Sequence, residues 1–296
     1  MDLLFKQLPR ALWQASVWRD LTVQADLRYD APAACTLDAL RPTDRDEVLP
    51  VVLHIHGGAF RVLSKETHGY VASRYARAGF LVLNVEYRLA PESPFPAAVR
   101  DVHAAWLWAR DHVAELGGGP DRILLSGESA GANLALGLAL STTIDRDEPW
   151  ARAVREAGAR PLGVHACYGF LQATDTARYG RDLPVGALVG ARLPIIERDY
   201  LARADATWGL DYADPVRIIE QLDDVGRLPP VLAVCGTRDP ISDDTARLIA
   251  ALRGRADLEA LWVKGAGHGF HCLPGRRSEE AWLALLGHAE RVVGPR

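Results

Sequence analysis

The chain has 296 residues, 24% of them charged and 49% hydrophobic, a balance typical of an ordinary globular protein. Its 34 basic and 38 acidic residues give a formal charge of -4, which argues against nucleic acid and anionic membranes as partners. The sequence shows no apolar run that would predict a membrane span or a signal peptide. Its four cysteines are scattered without a CxxC pair, so a zinc ribbon is excluded and a reduced, cytoplasmic protein is predicted.

Apolar runs typical of strands alternate along the chain with helical patterns. Strands are predicted at residues 51–55, 80–85, 123–125, 162–168, 231–235 and 260–263. Helices are predicted at residues 97–116, 129–140, 243–252 and 280–292. Because runs this apolar are typical of strands covered on both faces, the sequence predicts an α/β fold. Its central sheet is mostly parallel, with helices on both faces.

Two segments interrupt this alternation. Residues 1–21 precede the first predicted strand, and residues 171–228 separate two strands of the predicted core. The longer segment contains charged turns, prolines such as Pro184 and Pro194, and helical fragments. A connection of this length inside a compact domain usually has a function, such as a lid over a site.

The motif GESAG at residues 127–131 follows a predicted strand and opens a predicted helix. In this context G-x-S-x-G is typical of a nucleophile elbow, in which small residues flank a serine on a sharp turn. The hydroxyl of Ser129 would then project at the carboxyl end of the sheet, beside the helix N-terminus. We predict that Ser129 is a nucleophile; the alternative is a tight structural turn.

A second motif, HGGAF at residues 56–60, directly follows the predicted strand 51–55. Two successive glycines allow the backbone to approach a ligand closely. The N–H groups of Gly57 and Gly58, with that of Ala130 after the nucleophile, are predicted to stabilise an oxyanion. The alternative is a glycine-rich structural turn.

A serine nucleophile needs a base, and the base needs an orienting carboxylate. Asp239 comes after the strand predicted at 231–235, and His268 after the strand predicted at 260–263. Both residues therefore lie at the same edge of the sheet as Ser129. We predict that Asp239 is the orienting acid and His268 the base.

Each of these two residues has an alternative nearby in the sequence. Asp243 and Asp244 could replace Asp239, but they are typical of the first turn of the next helix, where carboxylates favour the macrodipole. His271 could replace His268, which is favoured because glycines flank it. The spacing alone does not exclude either alternative.

These motifs, in the chain order serine, aspartate, histidine, resemble the hormone-sensitive lipase family of α/β-hydrolases, the microbial esterase and plant carboxylesterase group. The resemblance runs from about residue 50 to the C-terminus. The matching segments are HGGAF at 56–60, YRLAPE at 87–92, FPAA at 95–98, GESAGAN at 127–133, DPISDD at 239–244 and HGF at 268–270. It implies an α/β-hydrolase fold, the triad Ser129, Asp239 and His268, and hydrolysis of small carboxylic esters with short acyl chains. It implies no metal or organic cofactor.

The resemblance also implies a small helical cap, built from the N-terminus and from the insert before the acid strand. Here these are residues 1–21 and 171–228, which leaves residues 22–170 and 229–296 as the catalytic domain. Members of the family dimerise through the last strand and helix, so a homodimer is also implied.

Three residues near the motifs are predicted to contact the substrate: Ala59, Phe60 and Glu128. Ala59 stands where the family usually has a third glycine, so its methyl group is expected to crowd the acyl pocket and exclude bulky tertiary esters. Glu128 stands where the family more often has aspartate.

Other activities use the same fold and remain open at this point. An amide or N-acetyl hydrolase would use the same triad on a biosynthetic intermediate. A dehydratase would use the oxyanion hole to polarise a carbonyl, and its serine would be dispensable. A ligand-binding receptor would have lost catalysis, and the intact triad argues against that alternative.

Two further features are interpreted as structural. His54 and His56 share one face of a predicted strand, but no motif supplies further ligands, so no metal is predicted there. In the segment YRLAPE, Arg88 and Glu92 are expected to be buried and paired, for example with Asp101, because buried charges need partners.

Overall fold

The computed structural model describes residues 18–181, 186–202, 209–225 and 228–294. In these ranges the strands are β1 (Leu21–Arg28), β2 (Thr36–Pro42), β3 (Leu49–Ile55), β4 (Leu81–Val85), β5 (Gly118–Glu128), β6 (Val164–Cys167), β7 (Val231–Gly236) and β8 (Leu258–Val263). The α-helices are α1 (Gly69–Arg77), α2 (Ala97–His112), α3 (Ala130–Ser141), α4 (Pro149–Glu156), α5 (Arg178–Arg181), α6 (Ala187–Tyr200), α7 (Pro215–Gln221), α8 (Ser242–Leu252) and α9 (Arg276–Val293). None of the helices in these ranges combines the length and apolarity needed to cross a membrane.

The strands form one sheet in the order β1-β2-β4-β3-β5-β6-β7-β8. From β4 to β8 every neighbouring pair is parallel. β2 is antiparallel to both of its neighbours. The predicted mostly parallel sheet is therefore confirmed, and the carboxyl ends of β3, β5, β7 and β8 meet at one edge.

Alternate residues of the central strands face two separate apolar cores. On β3, Val51, Leu53 and Ile55 pack into one core, whereas Val52 packs into the other. Residues of α2, α3 and α8 belong to the first core, and residues of α1 and α9 belong to the second. Helices thus cover both faces of the sheet, as the apolar runs predict.

β1 and β2 form an antiparallel edge that the sequence pattern did not predict. Most residues of β1 are exposed, because an edge strand borders solvent and needs no continuous apolar run. Helices α1 and α4 were also not predicted. β5 is longer than the predicted run at 123–125, since its first half carries glycine, proline and charged residues.

The long connection between β6 and β7 contains α5, α6 and α7. Tyr200, the last residue of α6, accepts a hydrogen bond at its carbonyl from the N–H of Phe95 (2.7 Å). This bond ties the end of α6 to the segment directly before α2. Residues 1–17 of the predicted cap lie outside the described residues, and the cap boundaries remain a prediction.

The segment after β4 is fixed by an ion pair. The guanidinium of Arg88 contacts both carboxylate oxygens of Asp101, whose side chain is fully buried. This pairing confirms the structural role expected for Arg88. The same expectation was wrong for Glu92, which is exposed.

Candidate active site

Ser129 lies on a strained turn between β5 and α3, with φ 54° and ψ -117°. A side chain at Gly127 would place its Cβ 2.2 Å from the carbonyl oxygen of Gly131. A Cβ at Gly131 would lie 2.0 Å from the carbonyl oxygen of Ile55. The turn is therefore sharp enough only because glycine stands on both sides of the serine.

This geometry predicts that Gly131→Ala destabilises the fold by about 2 kcal/mol or more, since overpacking forces the backbone to move. Gly137 provides a matched control on the same helix, because its Cβ would meet only the Tyr212 ring, at 3.3 Å. For Gly137→Ala the gain in helix propensity, about 1 kcal/mol, offsets that contact. Urea unfolding of both variants tests the prediction, and equal unfolding free energies would contradict it.

The Ser129, His268 and Asp239 side chains form a continuous hydrogen-bonded chain. His268 Nε2 lies 2.9 Å from Ser129 Oγ, and His268 Nδ1 lies 2.8 Å from Asp239 Oδ2. The second oxygen of Asp239 accepts the N–H of Ile241 at 2.9 Å. The carboxylate is fully buried, whereas 35% of the His268 side chain is exposed. The partly exposed imidazole therefore joins a fully buried acid to Ser129, which is itself 8% exposed.

The two alternative acids have other roles. Asp244 is buried, pairs with Arg178 and accepts the N–H of Leu171 at 2.7 Å. Burial raises the pKa of its carboxyl, and Arg178 partly opposes that shift. Asp243 lies in the first turn of α8, as the sequence predicts.

The alternative base, His271, is buried beneath the site. Its Nδ1 lies 2.6 Å from the hydroxyl of Tyr168. Burial lowers the pKa of His271 to about 4, so the ring stays neutral near pH 7. Its place in the interior leaves His268 as the histidine beside Ser129.

The HGGAF loop lies against the serine turn, where a Cβ at Gly57 would be 3.1 Å from the Cβ of Ser129. The N–H of Gly57 donates to Glu128 Oε1 at 2.5 Å, so this donor is already in use. Among the described residues, no acceptor is found for the N–H groups of Gly58, Ala59 and Ala130. Gly58 and Ala59 have positive φ angles, 112° and 55°, which turn the loop sharply at this point. Of the three expected donors, the N–H of Gly57 is thus bonded to Glu128, and those of Gly58 and Ala130 are unbonded, as is that of Ala59.

Glu128 lies behind the serine turn instead of in a substrate pocket. Its side chain is 4% exposed and pairs with His68 Nε2 at 3.0 Å. Burial opposes ionisation of Glu128, but the charge and hydrogen bond of His68 outweigh it and lower the pKa of the carboxyl. The same pairing raises the pKa of the buried His68 imidazole well above its ordinary value, against the effect of burial. The predicted substrate contact of Glu128 does not fit this position.

Phe60 is also buried, and its ring stacks on that of Tyr200 with centroids 3.8 Å apart. The next residue, Arg61, pairs with Asp199 at 2.6 Å. Both contacts join the HGGAF loop to the end of α6. Sequence reasoning missed Tyr200, Asp199 and His68, because nothing in their own segments marks them; only the fold brings them to the loop.

His54, in β3, and His56, directly after it, both form hydrogen bonds to other protein groups. His54 Nδ1 lies 3.4 Å from Ser126 Oγ, and His56 Nδ1 lies 2.6 Å from the carbonyl oxygen of Gly57. The His56 ring stacks on Tyr87 with centroids 4.3 Å apart. These contacts indicate a structural role for both histidines beside the HGGAF loop.

The chain is similar in sequence to a known family of proteins. The sequence profile of the α/β hydrolase fold matches residues 52–272. The chain belongs to the α/β-hydrolase fold family, in its hormone-sensitive lipase group. Among its relatives, carboxylesterase NlhH of Mycobacterium tuberculosis is 34% identical over 213 residues, covering 69% of this chain and 60% of NlhH. Hormone-sensitive lipase of Bos taurus is 34% identical over 156 residues, covering 52% of this chain and 19% of the lipase.

Solved structures of α/β-hydrolases share the whole architecture. Esterase LipW from Mycobacterium marinum superimposes with a TM-score of 0.80 at 24% identity, covering 97% of this chain and 87% of LipW. At that identity the match shows the fold alone. The matching part of this chain spans less than two thirds of the curated relatives named above.

Proposed function

We propose that the chain is a serine hydrolase that cleaves small carboxylic esters with short acyl chains. The observation that carries the proposal is the hydrogen-bonded chain from Ser129 Oγ through His268 to Asp239, at 2.9 and 2.8 Å. The relatives that bear the names carboxylesterase and lipase support the same activity.

In the proposed reaction His268 Nε2 takes the proton of Ser129 as the hydroxyl oxygen attacks the ester carbonyl. The buried Asp239 holds the imidazole with its proton on Nδ1 and stabilises the imidazolium that forms. His268 then gives its proton to the leaving alcohol. Water attacks the acyl-enzyme through the same base and releases the acid.

The tetrahedral intermediate carries a negative oxygen that needs donors. The N–H groups of Gly58, Ala59 and Ala130 fit this role, since Gly57 is already bonded to Glu128. Ala130 is the first residue of α3, so the positive end of the helix faces the same oxygen. Each such donor typically contributes about 100-fold or more to the rate.

The preference for short acyl chains rests on the walls around this loop. Ala59 adds a methyl group beside the oxyanion donors, where it is half-buried. The next residue, Phe60, is buried and stacks on Tyr200. We therefore propose that the pocket admits acetyl to butyryl groups and excludes tertiary acids.

Hydrolysis of nitrophenyl esters from acetate to decanoate tests the proposal, with Ser129→Ala as the inactive reference. We expect the highest kcat/KM at acetate or butyrate. We expect kcat to fall about 10⁶-fold in the variant, as when a triad serine is removed. A folded wild-type chain that cleaves nitroanilides but not esters would favour the amidase alternative. Equal activity of the wild type and Ser129→Ala would refute the assignment of Ser129 as the nucleophile.

A further inference from the structure

A cluster of three different ligand types lies behind the serine turn, away from the reacting atoms. One nitrogen of His68, one carboxylate oxygen of Glu128 and the sulfur of Cys272 lie within 4.8 Å of one another. They come from three distant segments of the chain. His68 and Glu128 are nearly completely buried, at 5% and 4% exposure, whereas Cys272 is half-buried.

We propose that His68, Glu128 and Cys272 form a site for Zn²⁺ or a similar soft divalent cation. Imidazole nitrogen, carboxylate oxygen and thiolate sulfur are the three ligand types that zinc takes from proteins, at about 2.0 to 2.3 Å. Tetrahedral bonds of those lengths place ligand atoms about 3.3 to 3.7 Å apart. The pair His68 Nε2 and Glu128 Oε1 is already at 3.0 Å, so side-chain adjustments suffice.

His68 and Cys272 have hydrogen-bond partners that orient their side chains, as metal ligands usually do. The Nδ1 of His68 lies 3.1 Å from the carbonyl oxygen of Ser64, which accepts its proton and leaves Nε2 directed at the cluster. The hydroxyl of Tyr168 lies 3.2 Å from the sulfur of Cys272 and can donate to a thiolate. Two of the three ligands thus have fixed partners on the side away from the metal.

A complex of Zn²⁺ with the thiolate of Cys272, the neutral imidazole of His68 and the carboxylate of Glu128 carries no net charge. Binding releases to solvent the protons that the Cys272 sulfur and His68 Nε2 carry. No uncompensated charge is buried, and burial of such a charge would be the main cost.

A second group of ligand types, at Asp30, Cys35 and Asp101, is the other such cluster among the described residues. There Asp101 is bound at both oxygens by the guanidinium of Arg88, and Cys35 is fully buried. A metal would have to displace a strong ion pair at that place. Cys35 therefore serves as the control cysteine.

Occupation of the proposed site would inhibit the enzyme, and this consequence rests on the proposed function. Glu128 Oε1 accepts the N–H of Gly57 and so fixes the loop that carries Gly58 and Ala59. A cation bound to the carboxylate competes for that oxygen. The loop then loses an anchor directly before its oxyanion donors. We expect kcat to fall while KM changes little.

Cobalt provides a test of binding that does not depend on activity. Titration of the reduced protein with Co²⁺ should give a thiolate-to-cobalt charge-transfer absorption, which excess Zn²⁺ should remove. The band should persist in Cys35→Ser and in the inactive Ser129→Ala, and should be lost in Cys272→Ser. No band in the wild-type protein, or a band unchanged in Cys272→Ser, would overturn the proposal.

Inhibition by zinc is the second arm of the test. The zinc concentration for half inhibition should rise at least about tenfold in Cys272→Ser, since even an outer partner of a metal contributes that much. Inhibition that persists equally in Cys272→Ser would place the metal at the triad and overturn the regulatory role. If the protein hydrolyses no ester, the proposed function fails while the cobalt titration still decides the site.

Alkylation of the wild-type protein tests the proposal without a variant, so the test still holds if Cys272→Ser does not fold. Of the four cysteines, Cys272 is half-buried and the other three are buried, so mild alkylation should modify Cys272 first. Zn²⁺ should protect this one thiol, as mass spectrometry of the modified peptide would show. Unchanged alkylation of Cys272 in saturating zinc would refute its role as a ligand.

Discussion

Asp239→Asn is expected to reduce kcat about 10⁴-fold, as the corresponding change does in other serine triads. The carboxylate accepts the Nδ1 proton of His268 at 2.8 Å. An amide of the same shape can instead donate to Nδ1, which moves the imidazole proton to Nε2, the nitrogen that must accept the proton of Ser129. The buried amide fits the same space, so the fold should survive while the base is lost.

Asp243→Asn is the matched control, since this carboxylate lies four residues further on in the first turn of α8. Its activity should stay within a few-fold of the wild type, and far-ultraviolet circular dichroism should confirm that both variants fold. If Asp239→Asn keeps at least a tenth of the wild-type kcat while Asp243→Asn is inactive, the assignment of the acid is wrong.

A second large effect is expected on stability in acid. In five of the buried histidines, burial lowers the pKa of the ring below its ordinary value. They are His54 (to about 3), His103, His271 and His288 (each to about 4) and His165. In the unfolded chain each of these histidines binds a proton near pH 6.5, whereas in the folded chain it does not. The free energy of unfolding should therefore decrease as the pH falls from about 6.5 toward 4.

The size of this effect follows from the number of protons. Each histidine that is protonated only in the unfolded chain reduces stability by about 1.4 kcal/mol per pH unit. Five together exceed the stability of an ordinary domain, about 5 to 15 kcal/mol, within a few pH units. His68 opposes the trend, because its pKa is raised by Glu128 and its pairing is fully present below pH 6.5.

Urea unfolding at pH 7.5, 6 and 5 measures the slope. His103 offers a specific check, because it lies on α2, where its ring bonds to Val99 and Ser141, away from the triad. In His103→Gln the slope of the unfolding free energy against pH should decrease by the contribution of one proton, about 1.4 kcal/mol per pH unit. A free energy of unfolding that stays constant from pH 7.5 to 5 would show that the buried rings do not act in this way.

The sequence contains most of the information about the sheet and the triad. Strands such as β3 and β7 are buried on both faces and carry continuous apolar runs, so their pattern is visible without the structure. The triad is predictable for a related reason. The carboxyl ends of parallel strands meet at one edge, so residues after β5, β7 and β8 must converge.

The other features of the site depend on contacts between distant segments, which the sequence pattern does not reveal. The N–H of Gly57 resembles an oxyanion donor in the motif, and only the position of Glu128 shows that it is occupied. His68 and Cys272 stand in unremarkable segments, yet they meet Glu128 behind the serine. Side-chain pairs between distant segments are set by packing, and a single sequence leaves them open. The homodimer implied by the resemblance stays a prediction.

Covalent labelling of the protein tests the central claim most directly. A nitrophenyl phosphonate, which forms a stable adduct with an activated serine, should inactivate the enzyme in proportion to labelling. Peptide mapping should then place the single adduct on Ser129, and Asp239→Asn should be labelled far more slowly. An adduct on another residue, or full activity after Ser129 has been labelled, would contradict the proposed mechanism.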